Sequence, residues 1–337
     1  MTAAEGVGVG LAPDFPLRIA PAFPYYACKE SQILTTQKIS PSTLAEAANR
    51  SNRESSGRTD AAGHVDFSLD TLNTYASLGR VRSYQERQSN SGNPDIFERL
   101  ERMAESEDWG GPTPDPSDDL GVLRYYVHRR FDRAIFEEMV LPDAESLLSV
   151  FNSGLVTARQ DDIYGLFVPN THTDNPPWYF RGWHVSGDQQ LSSFSELPAP
   201  AAYSVEPGEY FLDWNRPLRF SSYHLAQSIS RQFPNSVREI PYGIELAVDA
   251  AVARSLKTAK RNPGTAAPSW NHAKGEIQLL LPMFFTDPEI PFAALSISRG
   301  PESYQASEII SMDRAYKRAR LVARPTASWL TTTRECG

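Results

Sequence analysis

The chain has only two cysteines, Cys28 and Cys336, one near each end. That scarcity excludes a disulfide framework and a cysteine-built zinc site. The six histidines (His64, His128, His172, His184, His224 and His272) never fall at the H-E-x-x-H spacing that sets two imidazoles on one helix face. The best remaining grouping is His172 and Asp174 with His184 across a hairpin, and no metal is expected. A serine-nucleophile elbow of the G-x-S-x-G type is missing. The glycines of 6–10 lack the lysine of a phosphate-binding loop and follow no strand, so no cofactor is expected. Long apolar runs are missing too: the best, Ile277–Phe285, is broken by Gln278 and Pro282 and is far too short to cross a bilayer. The first basic residue is Arg18, which argues against a charged signal-peptide start. The expectation is a soluble, cytoplasmic protein that touches no membrane.

Apolar material is ample. With 40% hydrophobic and 11% aromatic residues, the 337-residue chain can fill a sizeable core. Its net charge of −8 argues against general coating of nucleic acid, but the charge is unevenly spread. Between Asp95 and Asp119 nine acidic residues face only Arg99 and Arg102. From Arg254 to Lys274 there are five basic residues and no acidic one, and from Met312 to Pro325 five basic residues face Asp313 alone.

Residues 1–94 are rich in Pro, Ser, Asn and Gly without sustained period, and are expected to form a loosely ordered leader. The core is expected over 95–330, with a short tail at 331–337. Leu120, Leu123, Val127, Phe131, Ala134 and Ile135 form one apolar stripe, predicting a helix over Leu120–Met139 with Asp118 and Asp119 at its start. His128, Arg129, Arg130 and Arg133 fall off that stripe and read as a solvated face. Short aromatic or β-branched runs at 149–152, 163–168 and 178–183 predict a meander. A second helix is predicted over Ile244–Lys260, then strands at 277–285, 292–298 and 304–310, and a last helix capped by Asp313. The fold expected is α+β: a mixed, mainly antiparallel sheet with packed helices in a single compact domain, both groups of strands joining one sheet.

The basic segments at 254–278 and 314–324 are the strongest candidates for chemistry. Arg261, Asn271, Lys274 and Gln278 lead into one strand, while Lys317, Arg318, Arg320 and Arg324 ride on or just past one helix. Crowded cations strain one another unless anions are near, and the planar guanidinium fork suits phosphate oxygens. Trp270 and Tyr316 lie among them as candidate stacking rings for bases. The competing reading neutralises the same arginines against the 95–119 acidic region. For catalysis the candidates are Asn152, His272 and Asp313. Asn152, in Phe151-Asn152-Ser153-Gly154-Leu155, is more simply the start of an Asx-type turn.

Those blocks carry a resemblance. Phe97–Leu100, Tyr126–Phe131, Phe151–Leu155, Lys274–Pro282 and Met312–Leu330 together resemble the family catalogued as domain of unknown function 3825. Ser153 stands where that family has threonine, and Lys317 where it has a neutral amide. The family's association with OST-HTH (LOTUS) modules implies RNA metabolism, and a protein partner carrying such modules. The function expected is therefore binding of RNA or a nucleotide through the basic segments. The alternatives are an enzyme acting on a phosphodiester or nucleotide, and a protein-interaction module.

Overall fold

A computed structural model describes residues 70–89, 92–112, 118–143, 147–172, 176–203, 206–233 and 235–331. Residues 1–69 of the leader expected over 1–94 and residues 332–337 of the expected tail lie outside these, as does Asp174 of the histidine grouping. In chain order the elements are α1 (Asp70–Tyr75), β1 (Ala76–Ser77), α2 (Tyr84–Gln88), α3 (Ile96–Met103), α4 (Gly121–Phe136), β2 (Leu141–Pro142), β3 (Ser149–Val156), β4 (Asp162–Pro169) and β5 (Trp178–Val185). Then come β6 (Leu218–Arg219), α5 (Ser222–Ile229), α6 (Asn235–Arg238), α7 (Gly243–Arg261), β7 (Ala267–Asn271), β8 (Glu276–Met283), β9 (Ala293–Arg299), β10 (Tyr304–Ile310) and α8 (Met312–Val322).

The strands form two five-stranded sheets, ordered β1-β5-β4-β3-β2 and β6-β10-β9-β8-β7. Pairing is antiparallel except at the edges, where β1 lies parallel to β5 and β6 parallel to β10. The expectation of an α+β fold with mainly antiparallel strands holds, and every described residue belongs to one compact unit. The expectation of a single sheet does not. A helical layer separates the two sets of strands: α4 packs on the first sheet, α8 on the second, and the two helices pack on each other.

Side-chain alternation explains this. In the first sheet Phe151, Ile163 and Phe167 point into the main core, while Val150, Tyr164 and Leu166 point away to a smaller cluster under Leu191 and Phe194. In the second sheet Leu280, Ala294 and Ile310 face the same main core, whereas Leu279, Leu281, Leu295 and Ile297 face α5 and α7. Both sheets are therefore covered on both faces. Helix α4, enclosed by the two sheets, buries not only its stripe but also His128, Arg129 and Arg130, which corrects their reading as a solvated face. Arg129 pairs with Asp132 at 2.8 Å, and the Arg130 guanidinium lies 5.2 Å from the Tyr126 ring and 4.7 Å from the Tyr203 ring.

Two further expectations are corrected locally. Helix α8 is capped by Ser311, whose hydroxyl accepts from the Arg314 amide, and Asp313 falls in its first turn. The segment from Leu72 to Leu78 also belongs to the core: Leu72, Tyr75 and Leu78 are buried, and the Tyr75 ring lies 5.1 Å from both Phe131 and Phe167.

Candidate functional site

Asn152, Ser153 and Gly154 make a bulge in β3 where its register with β4 shifts. The Gly154 amide donates to Asn152 Oδ1 at 2.8 Å, and Asn152 Nδ2 donates to the Pro198 carbonyl at 3.3 Å. Ser153 Oγ donates to the Ile163 carbonyl at 2.7 Å and accepts from the Leu155 amide. Gly154 has φ +73°, and a Cβ there would lie 2.8 Å from Tyr126 Oη and 3.1 Å from the Arg130 guanidinium carbon. Tyr126 Oη in turn donates to the Gly154 carbonyl at 3.0 Å. The Asx turn expected at this motif thus forms, and it joins α4 to the first sheet.

The basic helix is matched by carboxylates. Arg318 and Arg314 approach Glu308 at 2.6 and 3.6 Å, and Lys317 meets Asp313 at 3.0 Å. Arg320 is buried with its Nε 2.6 Å from Glu107, and its guanidinium stacks 5.1 Å from Trp109 and 4.6 Å from Tyr126. Glu107 comes from the acidic stretch that the competing reading singled out. Tyr316 is buried beside it; burial, then the Glu107 charge, pushes its phenol up to about 12. Arg261 and Arg324 are exposed.

The β7–β8 hairpin collects Asn271, Lys274 and Gln278. Gln278 is buried at the centre of a polar ladder crossing three strands. Its Oε1 accepts from Asn271 Nδ2 at 3.0 Å and from Ser296 Oγ at 2.5 Å. Its Nε2 donates to Ser298 Oγ at 2.7 Å and to Glu276 Oε1 at 3.1 Å. The exposed Lys274 ammonium sits 3.7 Å from Glu276. His272 is held neutral, its pKa depressed to about 3 by burial first and then by the Arg129 and Arg133 charges. Asp132 lies 3.8 Å from His272 Nε2, but Arg129 binds that same carboxylate oxygen more closely.

Beside the hairpin opens a cleft of about 340 Å³ between the end of α4 and the second sheet. Trp270 forms its wall, with the Tyr203 ring edge-on at 5.2 Å and the Arg133 guanidinium 5.0 Å over its face. Arg133 is oriented by Glu137 at 2.6 Å. Glu209, Glu276 and Arg299 also line it, the last donating to the Gly208 carbonyl at 2.6 Å. The cleft thus brings aromatic rings and guanidinium groups together with carboxylates that accept hydrogen bonds. Of the sequence candidates Trp270 lines it, as do Gly275 and Glu276 between Lys274 and Gln278. Asn152, His272, Asp313 and the arginines of α8 do not.

Sequence reasoning missed Arg133, Tyr203 and Arg299. Arg133 was grouped with residues of a solvated face, and nothing local marks the other two. Among the described residues no group of three His, Cys, Asp or Glu side chains could hold a metal, and no helix is long and apolar enough to cross a membrane.

The structure is that of an α+β protein whose two sheets share a helical middle layer, with a polar, aromatic-walled cleft between that layer and the second sheet. A family model, Domain of unknown function (DUF3825), matches residues 100–329, more than half of the chain. The chain belongs to that family. No curated protein and no solved structure matches it.

Proposed function

We propose that the protein binds single-stranded RNA or a free nucleotide, taking one nucleotide into the cleft beside Trp270. One observation carries the reading: Trp270, Tyr203, Arg133, Arg299 and Glu276 meet in about 340 Å³, a volume at the lower end of small-molecule pockets, roughly 300–1,000 Å³. Carboxylates among the lining groups suit the amino and imino N–H groups of a base edge better than a bare phosphate. Lys274, exposed beside Glu276, supplies a cation for the attached phosphate. The same proposal sets the protein in cytoplasmic RNA metabolism, beside partners with OST-HTH modules.

The test is calorimetric binding of the four nucleoside monophosphates to wild type, Glu276→Gln and Arg299→Ala. Saturable binding of at least one nucleotide, weakened tenfold or more by either substitution, supports the reading. Absence of binding, or binding indifferent to both, overturns it.

A further inference from the structure

A second cleft, of about 140 Å³, sits between β5, the start of α3 and the turn after β1, and shares no wall with the first. Its rim is cationic. Arg80 comes from the turn, Arg99 from α3 and Arg181 from β5, so residues far apart in sequence converge on one hollow. Pro94 and Phe180 contribute apolar walls, and the Tyr179 ring, 42% exposed, stands at the edge.

The acidic groups nearby are largely committed. Asp95 is buried and accepts from the backbone amides of Arg82, Phe97 and Glu98 at 2.8–2.9 Å. Glu98 is buried against Arg82 at 3.0 Å and also accepts from the Asp95 amide. These two carboxylates occupy the N-terminal amides of α3, so the helix end offers no anion site and the guanidinium groups alone define one. Glu86 pairs with Arg80. Arg99 spends only its Nε, on the Pro94 carbonyl at 3.0 Å, and no carboxylate lies within ion-pair reach of Arg99 or Arg181 among the described residues.

Arg99 and Arg181, without carboxylates beside a hollow whose Arg80 is shared with Glu86, fit the oxygens of a phosphate, because each planar fork can donate two hydrogen bonds to it. An exposed tyrosine beside them offers a stacking face that accepts any base. We propose that the cleft formed by Arg80, Arg99, Arg181 and Tyr179 is a phosphate-binding site for single-stranded RNA, with the neighbouring base stacked on Tyr179. The inference rests on the nucleotide reading only in naming the ligand a nucleic acid. It deepens that reading by making the natural ligand a polymer, since a lone nucleotide cannot fill two clefts that share no wall.

Fluorescence anisotropy of a labelled 12-nucleotide oligouridylate tests it, with the full chain titrated at several salt concentrations. Arg99→Ala/Arg181→Ala should weaken binding tenfold or more and flatten the slope of log affinity against log salt by about 1.4, the value for two lost single-strand phosphate contacts. Arg181→Lys, which keeps the charge but loses the fork, should fall between that variant and wild type. Tyr179→Ala should weaken oligonucleotide binding without changing the salt slope. These side chains are exposed, so unchanged thermal melting will show that the variants fold. Nucleoside monophosphate binding in the first cleft should be unaffected in every variant. An RNA affinity and salt slope that survive the double substitution overturn the proposal, even where nucleotide binding stands. Inorganic phosphate or a phosphopeptide matching the oligonucleotide in affinity, with Tyr179→Ala silent, overturns the assignment to RNA. Loss of RNA binding in the double variant supports this site even if no monophosphate binds and the first cleft is refuted.

Discussion

Gly154→Ala should be among the most damaging single-methyl additions to this protein, and its cost can be divided. The residue has φ +73°, where an L-residue costs roughly 1–2 kcal/mol. The new Cβ would also lie 2.8 Å from Tyr126 Oη and 3.1 Å from the Arg130 guanidinium. Both partners are buried on α4 between two sheets, so yielding costs roughly 1–3 kcal/mol more, as overpacking does elsewhere. Stiffening of the unfolded chain returns about 0.4–1 kcal/mol. The net expectation is a loss of about 1–4.5 kcal/mol, a large share of the roughly 5–15 kcal/mol that holds a domain folded. Gly275→Ala is the control: its φ is +66°, but no atom lies within 4 Å of the added methyl. It should lose only about 0–1.5 kcal/mol, backbone strain less the stiffening of the unfolded chain. Urea unfolding followed by fluorescence measures both, as shifts in midpoint at constant slope. Tyr126→Phe in the Gly154→Ala background removes the contacting oxygen and should recover part of the loss. If the two alanine variants agree within about 0.5 kcal/mol at unchanged slope, the α4 contact is not what reserves position 154 for glycine.

Arg320→Met should destabilise by about 3–5 kcal/mol, because it leaves Glu107 charged and buried without its partner; adding Glu107→Gln should restore much of that in a double-mutant cycle. Gln278→Leu should cost roughly 1–3 kcal/mol for each donor of Asn271 and Ser296 left without an acceptor, read by thermal melting. His272 makes stability depend on pH. Its folded pKa, about 3, lies below the ordinary 6.5, so the unfolded chain binds the proton first as pH falls. This contribution is complete above about pH 6.5 and declines towards pH 3 by at most about 1.4 kcal/mol per unit, and His272→Gln should flatten urea midpoints measured between pH 7 and 4.

Much of the architecture was legible because it depends on period. The four-residue recurrence of Ile244, Val248, Val252 and Leu256 marks α7, and the apolar run at 277–285 marks β8. The division into two sheets was not, since local sequence does not say which strands pair across a hundred residues. The α4 arginines show the same limit. Arg129 and Arg130 read as solvent-facing by their place on the helical wheel, yet Ala201 and Tyr203 from a distant segment cover that side, and tyrosine rings with Asp132 take their charge. Neutralisation of α8 was half legible: the acidic stretch supplied Glu107 for Arg320, but Glu308 came from the adjoining strand. The first cleft was marked only by Trp270, because Arg133, Tyr203 and Arg299 come from separate parts of the chain with no shared motif.

The short helix at Asp70–Tyr75 sets where the protein can be cut. The family match begins at residue 100, but Tyr75 lies against Phe131 and Phe167, and the Trp183 indole donates to the Ile96 carbonyl at 2.7 Å. A fragment trimmed to that boundary would open a large-aromatic hole in the main core and strip Trp183 of its hydrogen-bond acceptor. The unit of folding is longer than the unit of family likeness, and expression fragments should begin upstream of Asp70.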